Sequence, residues 1–160
     1  QSRYHFLRAE AQINRYLELS PKWVFAGKLR MGYIQSLKNN QSTPIEDRFL
    51  IGGASSLRGW GRHQISPVNQ TGKFIGGNSM LETSIELRFP IYDIFSGVGF
   101  ADAGNVWRQT LNYDLTQLNY NAGIGLRVST PIGPVRLDLA TPVFVEPFRL
   151  QLFVSIGHAF

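Results

Sequence analysis

From Phe6 to Leu19 the chain alternates, and that alternation restricts its fold more than any other feature. The odd positions Leu7, Ala9, Ala11, Ile13, Leu17 and Leu19 are apolar, whereas Arg8, Glu10, Gln12, Asn14 and Glu18 between them are polar. A period of two over a dozen residues describes an extended strand whose faces meet different surroundings. Strands of soluble proteins are nearer ~5–6 residues. After a turn at Ser20-Pro21-Lys22 the pattern resumes, with Trp23, Phe25, Leu29, Met31 and Tyr33 opposed to Lys28, Arg30 and Gly32. It recurs as Leu81, Thr83, Ile85 and Leu87 against Glu82, Ser84, Glu86 and Arg88, and as Tyr120, Ala122, Ile124 and Leu126 against Asn121, Gly123, Gly125 and Arg127. The alternation predicts strands near residues 4–19, 22–36, 79–90, 97–107, 118–130, 134–141 and 149–160.

Such strands need a surrounding that wets one face and covers the other. No run of eighteen apolar residues exists, so a spanning helix is excluded. Mean hydropathy is only −0.11. A spanning barrel escapes that average, because its apolar and polar residues alternate. The polar face carries Glu82, Glu86, Arg88, Arg127, Arg136 and Asp138, which suits a water-filled lumen better than a soluble core. Short turns after residues 20, 90 and 131 fall on one rim and long connections on the other, as in outer-membrane barrels. The expected class is therefore all-β, an antiparallel transmembrane β-barrel wall of about seven strands. Tyr4, Trp23, Tyr92, Trp107 and Tyr113 lie near strand ends, where amphipathic rings form interfacial girdles.

The remaining composition mostly excludes. The sixteen Lys and Arg against eleven Asp and Glu give +5, spread along the chain without a basic cluster. Nucleic acid is not an expected partner; outer-membrane lipid and lipopolysaccharide are. Cysteine is absent, and His5, His63 and His158 have no metal-ligand spacing, so no metal or other cofactor is expected. No nucleophile–base arrangement or paired-carboxylate site points to an enzyme.

The connection 37–78 breaks the alternation. It is far longer than the ~12–15 residues of routine loops, which marks it as functional or disordered. Phe49, Leu50, Ile51, Leu57 and Trp60 argue for folding inward. At its centre Gly52, Gly53 and Gly59 permit a tight turn that places Arg58 and Trp60 at a tip. In the strand 97–107, Asp102 lies between Phe100 and Gly104 on its own face, and a carboxylate there is costly unless a cation meets it.

Four segments carry a family resemblance: GGASSLRGW at 52–60, GFADAGNVW at 99–107, GIGLRVSTPIGPVRLDLATP at 123–142, and a last strand ending in Phe160. In this order the chain resembles the C-terminal part of the outer-membrane β-barrel assembly and translocation superfamily, of the BamA and TamA kind. The resemblance implies a 16-stranded barrel with a loop inserted into its lumen. Arg58, with Gly52, Gly53, Gly59 and Trp60, would be the loop clamp. Asp102 would be its first receiver, Glu86 and Asp138 the competing ones, and Phe160 an assembly signal. The implied function is insertion of client outer-membrane proteins, or translocation of exported ones, in a Gram-negative outer membrane or an organelle of bacterial descent. A two-partner-secretion pore and a passive channel are the alternatives. Seven strands alone would leave backbone groups bare in lipid. The rest of the barrel and its periplasmic domains are therefore expected from a missing N-terminal part or another chain.

Overall fold

The computed structural model describes residues 5–37, 43–131 and 133–157, which build one antiparallel sheet of seven strands in sequence order. The strands are β1 (Phe6–Ser20), β2 (Trp23–Ser36), β3 (Ser79–Tyr92), β4 (Phe95–Trp107), β5 (Asn119–Val128), β6 (Val135–Val143) and β7 (Gln151–Ile156). Among the described residues no helix is long and apolar enough to cross a membrane.

The register aligns the alternation from strand to strand. On one face Lys28 lies opposite Ser84, Arg30 opposite Glu82, Ser84 opposite Asp102, Asp102 opposite Asn121, and Gly125 opposite Asp138. On the other, Ile13 meets Leu29, Phe25 meets Leu87, and Leu137 meets Val154. Among the described residues most of this second face is uncovered: Ile85, Ile124 and Val154 are 49%, 67% and 67% exposed. An apolar surface running across all seven strands far exceeds what a soluble monomer leaves in water.

The turns at Lys22, Asp93 and Gly133, all with positive φ, close hairpins at one end of the sheet. The connections 37–78, 108–118 and 144–150 leave from the other end. Residues 43–78 of the first fold back over the polar face, tied by the bridges Phe49–Gly77, Ile51–Ile65 and Val68–Phe74. Its Phe49, Ile51, Leu57 and Ile65 bury against Ile34, Met80 and Val106 of the wall. Gly32 makes room for Phe49, since a Cβ there would stand 2.7 Å from the ring.

Three expectations need correction or limits. Pro90 does not end β3, which continues to Tyr92 with a bulge between the two. The β2 pairing stops at Arg88, so the missing Pro90 N–H has no ladder partner to lose on that side. Trp107 is not an outward girdle ring. It is 5% exposed, with the edge of Tyr113 against it at 5.8 Å. The connection after β4 folds back there, Thr110 and Tyr113 donating to the carbonyls of Ile34 and Gly32. Trp23, stacked on Phe89, and Tyr92 do point outward. Tyr4 and Phe160 lie outside the described residues.

Candidate functional site: a buried charge clasp beneath the loop

The turn that delivers Arg58 is built from backbone. Gly52 and Gly53 have φ of +113° and +106°, a region that side chains rarely adopt. Gly53 N donates to Leu57 O and Trp60 N to Leu57 O, the latter closing a turn centred on Arg58 and Gly59. A Cβ at Gly59 would run into Asn121 Cβ and the backbone at Thr141 and Pro142. Only a residue without a side chain lets the tip rest on the β5–β6 wall.

Arg58 is 1% exposed. Its Nε donates to Asp102 Oδ2 at 3.0 Å and its Nη2 to Asp102 Oδ1 at 2.6 Å, the two-pronged geometry a guanidinium fork favours. Nη1 donates to Glu86 Oε1, and Nη2 also reaches Ser84 Oγ at 3.0 Å. The Phe100 ring lies 3.5 Å from the guanidinium carbon, a cation–π contact from below. Asp102 accepts five hydrogen bonds in all. Besides the two from the fork they come from Arg58 N, Ser84 Oγ and Asn121 Nδ2. Both charges are out of water and both are saturated, the condition under which a buried ion pair holds.

Two further ties hold the same turn. Lys28 Nζ donates to Ser55 O at 2.9 Å and to Glu82 Oε1 at 2.5 Å, while Ser56 Oγ donates to Glu82 Oε2 at 2.8 Å. Arg136 Nη2 donates to Ala54 O at 3.0 Å. So the strand cations hold loop carbonyls as well as carboxylates.

Of the receivers named from sequence, Asp102 and Glu86 share Arg58. Asp138 does not meet it: Arg127 Nη1 and Arg136 Nη2 occupy its oxygens at 2.5 and 2.7 Å. Both arginines are nearer along the sheet, one on β5 and one two residues away on β6. Trp60 is half-buried against the loop's apolar cluster, with Arg149 5.3 Å from its ring. The alternation puts Lys28, Ser84, Glu82 and Asn121 on the polar face but gives them no partners. Their alternation marks that face, but cannot show which of its side chains the loop covers. Among the described residues no group of three His, Cys, Asp or Glu could hold a metal.

An exposed apolar face, a charged opposite face and a loop pinned across the latter define a wall of a transmembrane β-barrel with an inserted loop. Residues 1–160 match the Omp85 superfamily domain, and the chain belongs to that superfamily. It is 29% identical over 150 residues to the outer membrane protein assembly factor BamA of Nitratidesulfovibrio vulgaris, covering 86% of this chain and 18% of that protein. It is 28% identical over 158 residues to the sorting and assembly machinery component 50 homolog of Bos taurus, covering 86% and 32%. The crystal structure of BamA from Haemophilus ducreyi lacking POTRA domains 1–3 superposes with a TM-score of 0.77 at 26% identity, over 93% of this chain and 34% of that one. The chain thus spans between 18% and 34% of these relatives' length.

Proposed function

We propose that the chain is the C-terminal portion of a 16-stranded outer-membrane barrel that inserts other β-barrel proteins. One observation carries this reading: Arg58, at the tip of a long loop, is fully desolvated between two carboxylates on the lumen-side face of an otherwise lipid-facing wall. The assembly roles in the names of the BamA and component 50 relatives support it. The clasp ties β3, β4 and β5 to the loop, and Lys28 and Arg136 extend the tie to β2 and β6. Motion is left to the sheet edges. β7 stands at one edge of the sheet, paired with β6 through six residue pairs among the described residues. A lateral seam at β7 would offer backbone donors and acceptors to a client strand, with no covalent chemistry. The short-turn rim would face the periplasm and the long connections the exterior, with lipid and lipopolysaccharide around the wall. A passive channel is disfavoured by the loop lying across the lumen-side face.

The test uses the full-length protein in liposomes. It should speed folding of an added outer-membrane barrel relative to empty liposomes. Steady ohmic conductance without faster client folding would assign it to the passive channels instead. Single cysteines at Asn112 and Asp93 should label from outside intact cells at the first position only; equal labelling would remove the topology.

A further inference from the structure

On the outward face of the wall, one residue breaks the alternation of β1. Arg15 is exposed there between Ile13 and Leu17, both 57% exposed, and lies opposite Gly27 of β2. The register carries that face onward through Ile85, Ala101, Ala122 and Thr141. Among the described strand residues, Arg15 is its only charge. The ion pairs of this hairpin, Glu10 with Arg8 and with Arg30, lie on the polar face, so no described acid on the outward face meets Arg15. Gly27 adds a second feature. A Cβ built there would have nothing within 4 Å, so the apolar surface beside Arg15 has a notch, between Phe25 and Leu29 of the same strand.

A charge on a lipid-facing strand is costly in the hydrocarbon, and the cost falls toward either interface. An ionisable residue at such a depth marks a site with a partner. Five residues of strand at ~3.3 Å each and a tilt of ~40° put Arg15 about 12 Å from the short-turn rim, where Trp23 stacks on Phe89. Its long stem lets the guanidinium lean toward that rim, and the notch lets a headgroup sink toward it. The membrane supplies phosphate there, and a guanidinium takes two phosphate oxygens at once. We infer that Arg15 is a headgroup site for one anionic phospholipid, its phosphate beside Gly27 and its chains running on past Ile13 and Leu29. A zwitterionic lipid would bring its own cation to a place that already holds one, so the anionic lipid fits the charge better. The inference takes from the proposed function only that this face meets lipid.

The experiment uses the full-length protein with a single fluorophore-labelled cysteine at Leu17→Cys, reconstituted in phosphatidylcholine bilayers. Brominated phosphatidylglycerol or brominated phosphatidylcholine is added at the same low mole fraction, and quenching of the label is compared. One cation should enrich the anionic lipid at the label about fivefold at low ionic strength. A label at Leu152→Cys, on the same face of β7 opposite Leu139, should show no preference. Arg15→Leu should abolish the preference at Leu17→Cys, and Arg15→Lys should keep part of it. Leucine suits a lipid-facing position, so that variant should assemble, which heat-modifiable migration on a gel checks. Equal quenching by the two lipids with Arg15 present, or a preference that survives Arg15→Leu, would overturn the inference. Equal quenching together with a lower unfolding temperature for Arg15→Leu would assign the arginine to a carboxylate on a strand beyond β1 instead. The readout is a local lipid preference, so it stands or falls separately from the client-folding assay.

Discussion

Arginine–carboxylate pairs stand in two settings in this molecule. On the β1–β2 hairpin Arg30 Nε donates to Glu10 at 2.6 Å, with both side chains about a third exposed. Under the loop Arg58 Nη2 donates to Asp102, also at 2.6 Å, with side-chain exposures of 2% and 0%. Bond length does not separate them; solvent does. An exposed pair is screened and costs side-chain entropy to hold, so it stabilises little. A buried pair whose partner is removed leaves a charge with nowhere to go. The same alternation placed Glu10, Arg30 and Asp102 on the polar face. The loop lies over β2–β6 and reaches β1 near Arg8, which donates to Asp47 O, but it leaves Glu10 and Arg30 in water, so only one of these pairs became structural.

The largest effect should come from breaking the covered pair. Arg58→Ala strands Asp102 and Glu86 and should destabilise the full-length barrel by about 3–5 kcal/mol. Asp102→Ala should cost a similar amount, and the double variant little more than either, by denaturant unfolding in detergent. Strictly additive losses would mean that the two residues stabilise independently.

A smaller effect should follow from lifting the loop without touching a charge. Gly59→Ala sets a methyl against Asn121 and the backbone at Pro142, and overpacking of this kind costs about 1–3 kcal/mol. If the clasp depends on close approach, a cysteine at Ser56 should become more reactive to a membrane-impermeant thiol reagent in this variant. Unchanged reactivity would show that the tip has room to spare.

The smallest effect belongs to the open hairpin. Glu10→Gln removes the exposed pair and should cost no more than about 0.5–1 kcal/mol, falling further in high salt. A loss comparable to that of Arg58→Ala would erase the distinction between the two settings, and would mean that another part of the protein covers β1.

Strand positions were legible because a half-buried strand writes its two environments into every second residue. The hairpin of β1 and β2 and the faces of β3 to β6 follow from that alone, whereas the turn around Arg58 was legible from its glycines. Two boundaries were less legible. Pro90 reads as a strand end, but the ladder on its imide side had already stopped. Trp107 reads as a girdle ring, but the connection that follows it folds back to set Tyr113 against it, which no pattern in those residues displays.

The sequence by itself determined that the chain alternates, which face is charged, and that a glycine-flanked arginine and an isolated strand carboxylate both needed partners. Tertiary structure alone decided who meets whom. Arg58 and Asp102 are 44 residues apart, and Lys28 lies 54 residues from Glu82. Asp138 was as good a candidate by charge, but Arg127 and Arg136 reach it first. Charge and periodicity are properties of single positions, whereas a salt bridge depends on a distance and on the water that is excluded. Those two quantities exist only once register and loop path are set.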